Sequence, residues 1–130
     1  MTFPGKAKNP IHRFVKSVAC ALSGISFTFI TERHFKFHVV AALVAIGLGF
    51  YLQVSAAEWG LIVLAIGFVL VSELFNTGLE RSCDAVSGGQ WCEFVKHAKD
   101  ASAGSVLLSA ITALVIGVIV LIIPLINRVF

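Results

Sequence analysis

Residues 101–127, with the sequence ASAGSVLLSAITALVIGVIVLIIPLIN, form a run of 27 amino acids without an Asp, Glu, Lys or Arg. In a helix that rises about 1.5 Å per residue, such a run is long enough to cross the roughly 30 Å hydrocarbon layer of a membrane. Pro124 predicts that the helix frays near its end, because proline cannot donate a backbone hydrogen bond. The stretch therefore predicts an all-α integral membrane protein.

Two further apolar runs precede this one. Residues 37–57 contain 21 amino acids without a formal charge, which is enough for another crossing. Residues 59–72 are too short to cross unless the helix continues through Glu73, so this span carries carboxylates to the membrane boundary. We therefore predict a single membrane domain, residues 1–130, with transmembrane helices at 37–57, 59–80 and 101–127 and a loop at 81–98.

The composition of the whole chain agrees with a membrane protein. Its 130 residues are 58% hydrophobic and 13% charged, and the mean hydropathy is +0.94. A chain of this size has too high a surface-to-volume ratio to bury so much apolar surface in a core surrounded by water. Soluble enzymes, disordered tails and disulfide scaffolds are excluded. The formal net charge of +3 is not spread over a soluble face, so no nucleic acid partner is expected.

The basic residues predict the orientation in the membrane. Lysines and arginines cluster before residue 37 and again between the second and third spans, whereas the connection between the first two spans has none. Short cytoplasmic segments carry an excess of Lys and Arg. The N-terminus and the loop at 81–98 are therefore predicted to face the cytoplasm.

An amphipathic helix is predicted before the first span, over residues 9–30. Asn9 followed by Pro10 is typical of a helix start, and apolar residues recur after it at spacings of three and four. Arg13 and Lys16 suit a helix that lies in the membrane interface with its apolar face in the acyl region. A helix packed on other protein explains the same pattern equally well.

Four polar residues at the end of the second span are the main functional signal. At 100° per residue, one helical face holds all four of them: Glu73, Asn76, Glu80 and Asp84. Ionisable groups at membrane depth are costly and are by default functional. Aligned oxygen atoms suit Mg²⁺, which keeps several waters and takes other ligands from substrate phosphates. The alternative is that the acids form interfacial ion pairs with Arg33, Arg81, Lys96 or Lys99.

Positive charge for a phosphate group is available at the same boundary. Lys99 lies directly before the third span and Arg13 lies on the amphipathic helix, while the sequence contains no P-loop or Rossmann glycine motif. His34 and His38 have the i, i+4 spacing of metal ligands, but no third ligand is close in sequence. We therefore interpret the two histidines as interfacial polar contacts.

Three stretches carry a resemblance to a known family. They are TERHFKFH at residues 31–38, ELFNTGLE at residues 73–80 followed by Asp84, and AKDASAG at residues 98–104. From about Arg13 to the end of the third span, the chain resembles the small prokaryotic diacylglycerol kinase family, for which E-x-x-N-T-x-x-E-x-x-x-D is a specific motif. The E-R-x-F-x-x-H pattern around Glu32 is similar to the branch from Gram-positive bacteria, whose members phosphorylate undecaprenol in preference to diacylglycerol.

The resemblance implies a homotrimer of three-span subunits in the bacterial cytoplasmic membrane. Each subunit would use Mg²⁺ and ATP to phosphorylate a lipid alcohol at the cytoplasmic face. Glu73 is implied to be the general base, and Glu32 and Glu80 are implied to hold the magnesium ion that accompanies the nucleotide. Further contacts to the nucleotide are implied for Arg13, Asn76, Lys99 and Asp100.

Three alternatives stay open at this point. Diacylglycerol is the alternative substrate, because both alcohols would enter through apolar helix faces. A proton-coupled transporter predicts a lone carboxylate deep in the bilayer and a polar pore, whereas the acids here gather at one boundary. A non-catalytic assembly factor would explain the small residues at every fourth position of residues 101–117, but it gives the acidic face no role.

Overall fold

The computed structural model describes residues 9–129, and this part of the chain is all α-helical, which confirms the predicted class. Helix α1 spans Pro10–Thr31, α2 spans Arg33–Leu52 and α3 spans Ala56–Ser87. Helix α4 spans Glu93–Gly117, and a π-helical turn at Val118–Ile122 joins it to α5, which spans Ile123–Val129.

Helix α1 begins where the sequence predicted. The side chain of Asn9 accepts a hydrogen bond from the backbone N–H of Ile11 at 3.0 Å, and Pro10 occupies the first helical turn. An N-cap of this kind satisfies a backbone donor that has no partner inside the helix, and proline is tolerated there because it has no N–H.

A single residue separates α1 from α2. Glu32 has extended backbone angles, φ −98° and ψ 119°, and it caps both helices. Its backbone N–H donates to the carbonyl of Thr28 at 2.8 Å, which closes the last turn of α1. The ring of Phe29 meets the edge of Phe35 across this joint, with ring centroids 6.5 Å apart. The direction of α1 is therefore set by the backbone of one acidic residue and the packing beside it.

The first span ends earlier than predicted. The sequence placed its end at residue 57, but α2 ends at Leu52 because Gln53 adopts the left-handed conformation with φ 56°. Ser55 then caps α3, and Ser55 and Glu58 form a reciprocal capping box. The predicted bound followed the absence of charge in residues 53–57, whereas the end of the helix is set by local hydrogen bonding.

The loop predicted at 81–98 is much shorter in the structure. Helix α3 continues to Ser87, and α4 begins at Glu93, so residues 88–92 alone form the connection. Gly88 and Gly89 have positive φ angles of 59° and 77°, which favour glycine. The prediction was wrong because it ended the helices where their apolar runs end, whereas charged residues continue a helix readily outside the membrane.

The sequence predicted that the last helix frays at Pro124, but the structure shows no fraying there. Proline has no N–H, so the carbonyl of Val120 lacks the donor that a regular helix would place four residues ahead. The chain instead forms the π-helical turn, in which the N–H of Ile123 donates to the carbonyl of Val118. The helix then runs on to Val129. Widening the turn by one residue thus accommodates the proline without ending the helix.

Helix α3 is the centre of the structure. It packs along α4 over most of its length and along α2 on another side, while α1 touches both α2 and α3. Only six hydrophobic side chains are buried within the described residues, namely Phe35, Ile62, Ala65, Val69, Val120 and Leu121. Most large apolar side chains point outward, as lipid-facing helices require because lipid tails are as apolar as leucine.

Four helical segments are long and apolar enough to cross a membrane, namely α1, α2, α3 and the continuous stretch Glu93–Val129. This agrees with a multi-pass membrane protein. By length and composition α1 also qualifies as a span, so its location in the membrane interface stays a prediction. The three-span topology and the cytoplasmic location of the N-terminus stay predictions as well.

Trp59 and Tyr51, which lie near the α2–α3 turn, pack against specific partners. Trp59 lies beside Phe50, with ring centroids 4.8 Å apart, and its ring fills the space next to Gly49. The guanidinium of Arg128 lies 5.0 Å from the ring centre of Tyr51 and donates to the Tyr51 carbonyl at 2.9 Å. Arg128 on α5 is thereby held at the α2–α3 turn.

Candidate functional site

The polar residues predicted to share a face lie on the continuous helix α3, and their exposure increases along it. Glu73 is 4% exposed, Asn76 and Glu80 are half-buried, and the side chain of Asp84 is 61% exposed. The row therefore runs from the packed interior of the helix bundle to its surface. A ligand at this face would meet the most buried carboxylate at the inner end.

Glu73 faces a histidine from the neighbouring helix. The Nε2 atom of His38 on α2 lies 3.2 Å from Oε1 of Glu73, although the ring is not oriented well enough to make a hydrogen bond. Within residues 9–129, Oε1 of Glu73 is buried without a hydrogen-bond partner. The sequence indicated that His38 makes a polar contact but did not identify its partner, because 35 positions separate the two residues.

A second acceptor in the row is also unsatisfied. The Oδ1 atom of Asn76 is buried and has no hydrogen-bond partner in the part of the chain that the structure describes. Buried polar atoms in proteins are nearly always hydrogen-bonded, so an unpaired one calls for a partner outside the chain. Two oxygen atoms one helical turn apart are thus available to a ligand.

Glu32 is ion-paired with Arg81, a residue that the sequence offered as a partner for the acids of the row. Its Oε1 accepts a hydrogen bond from Nη2 of Arg81 at 3.2 Å. The guanidinium of Arg81 also lies 4.4 Å from the ring centre of Phe27, a cation–π distance. Arg81 therefore connects α3 to the α1–α2 joint, and any metal ion held by Glu32 would exchange with this guanidinium.

Lys99 and Asp100 lie near the beginning of α4, and both are ion-paired. Nζ of Lys99 donates to Oδ1 of Asp84 at 2.8 Å, and Lys96 donates to Asp100. The hydrogen bond with Asp84 raises the pKa of Lys99 above 10.5, with the negative charges of Asp84 and Glu80 adding to it and desolvation opposing it. The hydrogen bond from Lys96 lowers the pKa of Asp100 below 3.8.

These contacts divide the acids into two groups. Asp84 forms an ion pair of the kind that the alternative interpretation predicted for the row, and Glu32, outside the row, is paired with Arg81. Glu73 and Glu80 are in no ion pair with a lysine or arginine among the described residues. Charge balance therefore accounts for Glu32 and Asp84, and the carboxylates of Glu73 and Glu80 remain available.

The oxygen atoms of this site suit a hard cation that takes only a few of its ligands from the protein. No group of three or more His, Cys, Asp or Glu side chains that could enclose a metal ion occurs within the described residues. Glu80, Glu32 and the unpaired oxygen of Asn76 are oxygen donors of the kind that Mg²⁺ uses when phosphates and water complete its shell. A closed zinc-type site is a poor match to this chemistry.

Arg13 lies apart from the other predicted residues. It is exposed on the second turn of α1, and Glu32 follows that helix directly. Because 19 positions of helix separate them, the axial distance is about 28 Å at about 1.5 Å per residue. A single chain therefore does not bring Arg13 together with the acidic row.

An apolar groove leads to the buried carboxylate. Its volume is about 650 Å³, and α2, α3 and the Glu93–Val129 stretch line it. Nearly all of the lining is aliphatic, and His38 is its ionisable member. Because His38 contacts Glu73, the groove ends beside the one buried carboxylate of the row. The groove was not predicted from sequence, since it depends on how three helices pack.

Comparison with known proteins gives a consistent picture. A family profile described as prokaryotic diacylglycerol kinase matches residues 19–121. An undecaprenol kinase of Bacillus subtilis is 38% identical over 113 residues, which cover 87% of this chain and 91% of that protein. A diacylglycerol kinase of Synechocystis is 34% identical over 95% of this chain and 75% of its own. A diacylglycerol kinase of Escherichia coli K12 is 28% identical over 79% of this chain and 84% of its own.

Proposed function

Since the chain belongs to the prokaryotic diacylglycerol kinase family and is therefore a membrane lipid kinase that takes its phosphate from ATP, we propose that its substrate is undecaprenol. The product would be undecaprenyl phosphate, formed at the cytoplasmic face with Mg²⁺. The observation that supports phosphorylation of an apolar alcohol is the buried carboxylate of Glu73 next to His38, which lines one end of an apolar groove. The likeness to the Bacillus subtilis undecaprenol kinase supports this choice of alcohol.

Glu73 is the proposed general base. As the lipid hydroxyl attacks the terminal phosphorus of ATP, its O–H bond breaks and the proton passes to the Glu73 carboxylate, while ADP departs. The position of the Glu73 carboxylate supports this role, because it is buried and no lysine or arginine of the described residues pairs with it. A base must lie within hydrogen-bond reach of the proton that it removes, and the groove brings an apolar alcohol to this place.

Glu80 and Glu32 are the residues proposed to hold magnesium. Bound there, the ion would neutralise charge on the phosphate oxygens, which is its usual contribution to phosphoryl transfer. Glu80 is supported by its half-buried position and by the lack of an ion-pair partner within the described residues. Glu32 would release Arg81 in exchange, and an exposed pair of this kind contributes only about 0–1 kcal/mol.

Asn76, Lys99 and Asp100 are proposed to bind the nucleotide. Lys99 lies close enough to Asp84 and Glu80 for their charges to raise its pKa, so it is a cation next to the proposed metal ligands. A lysine there offsets negative charge on the transferring phosphoryl group. Asn76 offers its unpaired oxygen and amide group beside Glu73.

Arg13 is proposed to reach the nucleotide from a neighbouring copy of the chain. Within one chain its helix holds it far from the acidic row. The proposed homotrimer would solve this separation and would also cover some of the outward-facing apolar side chains. Each site would then combine α2, α3 and α4 of one subunit with α1 of the next, at the cytoplasmic face of the bacterial inner membrane.

Diacylglycerol is the second candidate substrate, which would make phosphatidic acid the product. The Synechocystis and Escherichia coli relatives, both named diacylglycerol kinases, favour it. Both alcohols have long apolar chains that suit the groove, so its lining does not discriminate between them. A proton-coupled transporter would need polar groups along a path through the spans, and the aliphatic lining of the groove argues against that class.

The test is phosphate transfer from ATP by the purified protein in mixed micelles, with undecaprenol and diacylglycerol offered separately. We expect a higher kcat/KM for undecaprenol and no transfer after magnesium is chelated. Glu73→Gln should lower kcat at least about 100-fold, as loss of a general base does, and Glu93→Gln on the exposed first turn of α4 is the matched control. Equal transfer by wild type and Glu73→Gln would contradict the assignment of the base, and preference for diacylglycerol would contradict the choice of substrate.

A further inference from the structure

His38 and Glu73 form the contact that joins α2 to α3 at the polar end of the groove. The Nε2 and Oε1 atoms are 3.2 Å apart, and the side chains are 19% and 5% exposed respectively. A carboxylate so deeply buried is costly unless a polar or charged group compensates it. In the described part of the chain, His38 is the side chain at ion-pair distance from Glu73.

The basic residues that form ion pairs in this region bind carboxylates other than Glu73. Arg81 binds Glu32, Lys96 binds Asp100, and Lys99 binds Asp84. On α3 itself, the buried polar neighbours of Glu73 are Ser72 and Thr77, neither of which titrates near neutral pH. The part of α4 that lines the groove is apolar. The environment of the buried carboxylate is therefore set by the imidazole of α2.

We propose that His38 is a positioning residue for Glu73, an inference that rests on the proposed function of Glu73 as the base. In its neutral form the imidazole donates from Nε2 to Oε1 of Glu73, and the other carboxylate oxygen is then directed to the hydroxyl of the lipid. The contact already has the required distance, and hydrogen bonds in active sites commonly align fully only when substrate binds. His38 holds the base in place and accepts no proton in this step.

His34 offers a matched comparison within the same helix. It lies one helical turn before His38 and is exposed to its surroundings, and it is not part of the groove lining. If histidine were needed only because both residues lie near the membrane surface, substituting either one would lower activity. If His38 positions Glu73, only the substitution of His38 lowers activity.

The experiment compares His38→Ala, His38→Gln, His34→Ala and Glu73→Gln in the micelle assay, with the lipid alcohol that gives the higher wild-type rate. His38→Ala should lower kcat about 10- to 100-fold, which is the usual effect of misplacing a catalytic group by about 1 Å, while KM for the lipid and for ATP changes less than about threefold. His38→Gln should recover most of kcat, because the Gln side-chain N–H can replace the Nε2 donor. His34→Ala should match wild type.

The outcomes separate this inference from the proposed function. If Glu73→Gln is inactive and His38→Ala keeps the wild-type kcat, the positioning role is wrong and the base assignment stands. If His38→Gln is as inactive as Glu73→Gln, the imidazole itself is the base or an essential charge, and positioning is again wrong. Activity in Glu73→Gln would reject the base assignment first. Helical circular dichroism of each variant in micelles identifies any loss that comes from unfolding, and His38→Gln, which keeps the donor, then decides the question.

Discussion

Two acidic residues near the same end of the helix bundle have opposite environments. Glu32 is half-buried and bound by a guanidinium, and Glu73 is buried beside an imidazole with an oxygen left unpaired. Removing the partner of an exposed pair costs little, whereas a buried carboxylate depends strongly on what surrounds it. Substitutions of Glu73 or His38 are therefore expected to change the protein more than substitutions in the ion pairs around them.

The sequence predicts which of these residues share a helical face, but it does not predict which residues meet across two helices. The order of Glu73, Asn76 and Glu80 along one face follows from helical periodicity, which is local and can be computed from spacing. The contact of His38 with Glu73 and that of Arg81 with Glu32 join different helices. Their geometry depends on helix packing, for which the spacing of residues carries no signal.

The charge of Lys99 gives a prediction about pH. Its pKa is raised in the folded state, so the stabilisation from its pair with Asp84 is fully present below 10.5, the ordinary value, and is lost only as pH rises through the folded-state value. From about pH 6 to about pH 9 the KM for ATP should therefore show no titration of Lys99. Lys99→Met should raise this KM about tenfold or more throughout that window.

The measurement is the KM for ATP at five or six pH values in that range, for wild type, Lys99→Met and Lys99→Arg. The arginine variant keeps a positive charge and should show a smaller increase that is equally flat with pH. A KM for ATP that rises steeply between pH 7 and pH 9 in wild type but stays flat in Lys99→Arg would mean that Lys99 loses its proton in that range, contrary to this prediction.

At the scale of helices, the sequence predicts the apolar spans better than it predicts where each helix begins and ends. The three predicted crossings correspond to α2, α3 and the Glu93–Val129 stretch, because long uncharged runs have few alternatives to a membrane helix. The observed helix ends differ from the predicted ones because they do not depend on hydropathy. Gln53 in the left-handed conformation, the glycine turn after Ser87 and the π-helical turn before Pro124 are set by backbone hydrogen bonds and not by hydropathy.

The packing of α2 on α3 predicts a contrast between two glycines of α2. A Cβ atom at Gly49 would lie 2.9 Å from the ring of Trp59, whereas a Cβ at Gly47 would meet nothing within 4 Å. Gly49→Ala should therefore destabilise the protein by about 1–3 kcal/mol, as overpacking does. Gly47→Ala should be neutral or slightly stabilising, because alanine favours a helix more than glycine does.

Thermal unfolding in one detergent, followed by circular dichroism, tests the contrast between these variants. A lower midpoint for Gly49→Ala and an equal or higher midpoint for Gly47→Ala are expected. If the two variants unfolded at the same temperature as wild type, the close packing of Trp59 on Gly49 would not contribute to stability.

At the scale of the whole molecule, the chain has more apolar surface than it buries. Six buried hydrophobic side chains in the described part are few for its 130 residues, so the surrounding lipid completes its environment. Composition alone predicted this conclusion, because it depends on the amount of apolar surface and not on its arrangement. The separation of Arg13 from the row was not predicted, since it depends on α1 being one uninterrupted helix.

The proposed sharing of sites between subunits predicts complementation. If Arg13 comes from one subunit and Glu73 from the next, mixing Arg13→Ala with Glu73→Gln at equal amounts restores about a quarter of the sites by random assembly of a cyclic oligomer. Transfer activity should therefore recover to about a quarter of the wild-type rate when two inactive proteins are unfolded together and reassembled in micelles.

A matched pair of variants within one subunit provides the control. Glu73 and Glu80 lie on the same helix α3, so a mixture of Glu73→Gln with Glu80→Gln should recover less activity than the mixture containing Arg13→Ala. Equal recovery in both mixtures, or none in either, would reject the assignment of Arg13 to a neighbouring subunit.

The joint at Glu32 has a mechanical consequence. Helix α1 has 22 residues, so it is a rigid arm about 33 Å long, and two backbone dihedral angles connect it to α2. A rotation of about 10° at this joint would move the far end of the arm by roughly 6 Å, about one helical turn. Helix α1 therefore acts as a lever that pivots at the backbone of Glu32. Arg13 lies near the N-terminal end of this lever, and the residue at the pivot belongs to the candidate site.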